Sequence, residues 1–152
     1  MNDACFGNKT ISINQRRYLG SKTKLLSFID NILQTENIRF ESFADIFAGT
    51  GTVANHFHGR SKVIVNDILD SNNYVYNAFF GKDNIREDKL KEKLNFYNSL
   101  DIKKYDENYF SKNFSNTYFN KTNSKKIGII RDDIEKLFEN KIITKREKSY
   151  LL

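Results

Sequence analysis

Leu25, Leu26, Phe28, Ile29, Ile32 and Leu33 recur at helical spacing and predict an amphipathic helix over residues 21–34, with Ser21 placed to cap it. Residues 42–47, Ser-Phe-Ala-Asp-Ile-Phe, are short, apolar-rich and followed by glycines, the pattern of a buried strand. Residues 48–51 form a loop, and residues 52–58 a helix that stops near Gly59. The β-branched run 62–66 predicts a second strand leading to Asp67. Residues 68–80 read as helix, with Tyr74, Tyr76 and Phe79 as apolar members. Strand, glycine loop, helix, strand, helix is the alternation of a parallel α/β sheet.

Beyond Gly81 the pattern turns helical and charged. Residues 86–100 predict a helix with Leu90, Leu94 and Tyr97 on one face, and residues 125–140 another through Ile127, Ile130, Ile134 and Phe138. Between them, residues 103–126 mix Lys, Asn and aromatic residues without a firm period. Thr144-Lys145-Arg146-Glu147 fits a capping box and announces a last helix close to Leu152. Its apolar Tyr150-Leu151-Leu152 end suggests a chain cut short, against the alternative of a short docked helix. Only two strands are visible, where sheets have about 5–6.

Composition narrows the class. With 39% hydrophobic and 14% aromatic residues, the chain is too apolar for disorder despite a mean hydropathy of −0.63. It has no apolar run long enough for a membrane span and no signal-peptide layout, and a lone Cys5 provides no disulfide framework; a reducing cytoplasm is the expected compartment. The net charge of +6 is uneven: residues 1–80 hold 8 Lys/Arg against 7 Asp/Glu, and residues 81–152 hold 17 against 12. That excess fits a polyanionic partner, as does the aromatic and lysine mixture of 103–126, which could stack on nucleic acid. An AT-rich coding sequence and a small aromatic core account for the same features. No metal site is expected, since His56 and His58, two apart on a predicted helix, cannot face one ion together.

Three segments carry candidate chemistry. In Asp45-Ile46-Phe47-Ala48-Gly49-Thr50-Gly51, the glycines permit a tight strand-to-helix turn and close ligand approach, and the helix start offers free amides. Asp67, at the end of the second strand and 16 residues after Gly51, can accept both hydroxyls of a ribose. Tyr18, Gly20 and Lys22 suit a bound zwitterion, with the aromatic for packing and the ammonium for a carboxylate, although a capped helix would use the same residues.

In this order, Y-L-G-S-K, D-I-F-A-G-T-G-T-V and V-I-V-N-D-I resemble the Dam-type (alpha motif order) adenine-N6-specific DNA methyltransferases over about residues 16–80. The resemblance implies an α/β, incomplete Rossmann-like fold that binds S-adenosylmethionine, with a partial helical DNA-recognition region. It divides the chain into a cofactor-binding part, 1–83, and a recognition part, 84–152. By motif position it assigns cofactor binding to Tyr18, Lys22, Asp45, Phe47, Gly49, Gly51 and Asp67. Tyr18 stands where many members have Trp, and Asp45 where others have Glu. The family's catalytic D/N-P-P-Y cannot occur among these residues, because the chain has no Pro. No catalytic residue is therefore assigned.

The implied activity is methyl transfer to adenine N6 in double-stranded DNA, in restriction–modification, with this chain as an N-terminal fragment inactive alone. A separate C-terminal polypeptide is a candidate second partner. A non-catalytic DNA- or cofactor-binding remnant and an unrelated nucleotide-binding α/β protein are the competing readings.

Overall fold

The structure is a computed structural model that describes residues 22–152, so Tyr18 and the Ser21 cap lie outside the described residues. The chain divides into two compact units, Met1–Phe80 and Gly81–Leu152.

In the first unit a 3-10 turn, Lys22–Leu25, runs into α1, Leu26–Thr35. One apolar stripe of this segment, Leu26, Ile29 and Leu33, is half-buried, whereas Leu25, Phe28 and Ile32 are exposed. Strand β1, Ser42–Asp45, leads through the glycine loop to α2, Thr52–Phe57, and then to β2, Lys62–Val65. The strands pair in parallel, Ser42 opposite Lys62 and Asp45 opposite Val65. Helix α3, Asp70–Phe80, follows.

The core lies where α2 covers one sheet face: Phe57 is fully buried, stacks on Phe43 at 4.4 Å between centroids, and meets Phe40 edge-on at 5.6 Å. The expectation of a buried β1 is corrected: only Asp45 in it is buried, and Ser42 and Ala44 are exposed. A two-stranded sheet with one covered face leaves alternate side chains in solvent.

Three further expectations change. Ile68 lies before α3 and is 95% exposed, and Tyr74 points outward while Tyr76 is buried. His58 leaves α2 in extended backbone, and His56 instead contacts Asp30 of α1 at 2.6 Å, with Arg60 reaching the same carboxylate at 3.2 Å.

The second unit is helical: α4, Glu87–Asn98; a 3-10 turn, Ile102–Lys104; α5, Tyr109–Phe114; α6, Lys121–Glu139; and α7, Lys145–Leu151. Tyr97, Ile134, Leu137 and Ile143 form its core, with Leu100, Ile130, Phe138 and Leu151 against them. Leu94 stands outside it, half-exposed. Helix α5 arises in the stretch without a period because Asn108 and Ser111 form a reciprocal cap. Helix α6 starts four residues before the expected 125, at Lys121, because Asn120 caps it.

Candidate functional site: the glycine loop and the end of the second strand

The loop after β1 is built by backbone conformation that glycine permits. Gly49 and Gly51 have φ of 54° and 77°, in the left-handed region. At Gly51 a Cβ would stand 3.4 Å from the Phe80 ring and 3.5 Å from the Tyr76 ring, so two aromatic rings of α3 close that side. The Gly51 amide donates to Ala48 O at 2.8 Å, and Gly51 precedes the first turn of α2.

Asp67 ties the loop to the second strand. Its Oδ2 accepts from the Gly49 amide at 2.8 Å, and its Oδ1 from the Leu69 amide at 2.9 Å and the Asn72 side-chain amide at 3.0 Å. The Leu69 and Gly49 amides hold its carboxyl below the usual carboxylate range, and Asn72 and the charge of Lys22 add to this. A carboxylate has about four lone-pair sites. Among the described residues three donors are in place, which leaves one site, on Oδ2, rather than two free acceptors for a diol.

The other expected residues gather around the same loop. Lys22 Nζ donates to Phe47 O at 3.2 Å, and Asn66 Nδ2 donates to Ile46 O at 3.0 Å. The Phe47 side chain is 76% exposed. Asp45 is buried, and its Oδ2 has no hydrogen-bond partner among the described residues. An unmet buried acceptor is costly, so this oxygen favours a bound donor.

Sequence reasoning missed two members. Tyr76, counted as an apolar helix residue, donates its hydroxyl to Gly49 O at 2.6 Å, and Asn72 braces Asp67 one turn earlier. The one available signal was their i, i+4 spacing on the helix after the acidic strand end. Among the described residues no three His, Cys, Asp or Glu side chains are grouped to hold a metal, and no helix is long and apolar enough to cross a membrane.

Comparison with known proteins gives this geometry a family. The chain is 33% identical to the modification methylase LlaI of Lactococcus lactis subsp. lactis, covering 90% of this chain and 24% of that protein. It is 30% identical to the modification methylase StsI of Streptococcus sanguinis, covering 90% and 22%. It is 27% identical to the type II methyltransferase M.FokI of Planomicrobium okeanokoites, covering 90% and 23%. The chain thus spans about a quarter of the length of these curated relatives. No solved structure matches it. The family model for D12 class N6 adenine-specific DNA methyltransferases matches residues 18–148, and the chain belongs to that family.

Proposed function

We propose that residues 1–83 are the S-adenosylmethionine-binding part of a Rossmann-like DNA adenine-N6 methyltransferase, and that residues 84–152 belong to its helical DNA-recognition region. The observation that carries this reading is the junction of two family motifs in one loop, where the Gly49 amide meets the Asp67 carboxylate. The residues fit the cofactor. Gly49 and Gly51 give the loop its tight turn at positive φ, and among the described residues Asp45 Oδ2 lacks a donor and Asp67 Oδ2 retains one acceptor site. Asp67 would take a ribose hydroxyl there, Lys22 the carboxylate of the methionine part, and Asp45, Phe47, Gly49 and Gly51 the loop contacts, with Tyr18 assigned to the cofactor by motif position alone. When bound, the cofactor supplies an electrophilic methyl group, and this chain's residues hold and orient it.

The substrate in this reading is double-stranded DNA in the cytoplasm, within restriction–modification. The names of the relatives, modification methylases and a type II methyltransferase, support that setting. The acceptor-binding D/N-P-P-Y lies outside these 152 residues, since none is Pro. The test is incorporation of labelled methyl groups into mixed-sequence duplex DNA, by this chain alone and mixed with a polypeptide carrying the D/N-P-P-Y part. Silence alone with activity on mixing supports the reading. Activity in the chain alone contradicts the assignment of the acceptor motif, and silence in both favours a non-catalytic remnant.

A further inference from the structure

We infer that Tyr76 is a positioning residue for the glycine loop, acting with Asp67 and Asn72 as a clasp on Gly49. Gly49 lies between two peptide units. The N–H of the first is held by Asp67 Oδ2 at 2.8 Å, and the C=O of the second accepts the Tyr76 hydroxyl at 2.6 Å. Fixing both neighbouring peptide planes fixes both soft dihedrals of the residue between them. Gly49 needs this most, because glycine without a side chain ranges over more backbone conformations than any other residue.

The brace is one helix face. Asn72 and Tyr76 stand i, i+4 on α3, where side chains lie side by side. Asn72 donates to Asp67 Oδ1 and so orients the carboxylate that receives the Gly49 amide. Tyr76 is 5% exposed, and its ring also lies 3.5 Å from the Cβ position of Gly51. One buried tyrosine thereby serves both glycines of the motif: its hydroxyl holds the first, and its ring borders the space that a Cβ on the second would enter.

Preorganised backbone lowers the ordering cost of binding, so losing the hydroxyl weakens the cofactor without removing a direct contact. This consequence rests on the proposed cofactor role of the loop, whereas the clasp itself does not. Tyr76→Phe keeps the ring and removes only the hydroxyl. Tyr97→Phe is the matched control, since that hydroxyl donates to Asp133 in the second unit at 2.7 Å.

The experiment measures amide hydrogen exchange of Gly49 and Gly51 by NMR on the full chain, and S-adenosylmethionine affinity by calorimetry. Expected in Tyr76→Phe are exchange roughly tenfold faster at both glycines and affinity roughly fivefold weaker. Tyr97→Phe should change neither. Unchanged exchange in Tyr76→Phe overturns the clasp. Faster exchange with undiminished affinity overturns the positioning role. Faster exchange in Tyr76→Phe, in a parent chain that binds no S-adenosylmethionine, supports the clasp and refutes the cofactor reading instead.

Discussion

Arg86 and Glu147, 61 residues apart, form a saturated ion pair in the helical unit. Glu147 Oε1 accepts the backbone amide of Arg86 at 2.9 Å and its Nε at 2.8 Å; Oε2 accepts Arg86 Nη2 at 2.5 Å and the Thr144 amide at 2.9 Å. Four donors thus fill the four acceptor sites of a side chain that is 1% exposed. Arg86 is the main reason that the Glu147 carboxyl is held down to about 2, against burial, which pushes it up.

Because that pKa is lowered on folding, the pair contributes stability that is complete above the ordinary glutamate value and is lost as pH falls through the folded one. Urea midpoints of the chain should therefore fall between about pH 4.5 and about 2. Glu147→Gln turns one acceptor oxygen into an NH2 donor facing two N–H donors and should cost about 2–3 kcal/mol at neutral pH, with a flatter acid limb. An unchanged midpoint at pH 7 would contradict the role of the pair.

Gly128 predicts a sign reversal. A Cβ there would come 2.1 Å from Oδ1 of Asn108, whose side chain caps α5 and donates to Lys125 O at 2.8 Å. Gly128→Ala should destabilise the chain by about 1–2 kcal/mol, because the displaced cap outweighs the helix propensity gained. In an Asn108→Gly background the same change should stabilise by about 0.5–1 kcal/mol. Equal effects in both backgrounds, read from unfolding curves, would refute the clash.

DNA affinity should be sequence-tolerant and salt-sensitive. Lys103 and Lys104 lie in the 3-10 turn and Lys125 and Lys126 in α6, and these two elements pack together. Neutralising all four should reduce the slope of log affinity against log salt by about 0.9 for each phosphate that a lysine no longer neutralises. An unchanged slope in a fluorescence titration would return the +6 charge to coding bias.

The sequence was most legible where the signal is local. Thr144 and Glu147 predicted α7 from four residues, and the glycine loop and Asp67 stood at two strand ends. The partner that saturates Glu147 was not legible, because Arg86 shares no local pattern with it. Helix α5 was hidden for another reason: its cap pairs Asn108 with Ser111, where the recognisable box has Glu or Gln at the last position. Apolar spacing placed Leu94 and Tyr74 on covered faces, and both are exposed, whereas Tyr76 is buried as its spacing predicts. The Tyr76 hydroxyl meanwhile serves the loop. Spacing reports which face a residue occupies, but not whether that face is covered or what a polar tip will find.

The central claim, that this loop holds S-adenosylmethionine, is tested most directly by isothermal titration of the cofactor into the folded chain and its Asp67→Ala variant. Removing the carboxylate deletes both the anchor of the Gly49 amide and the acceptor site proposed for the ribose. The account predicts saturable binding, competed by S-adenosylhomocysteine and weakened roughly tenfold or more in the variant. Binding of equal strength in parent and variant, or none in a folded parent chain, would contradict it.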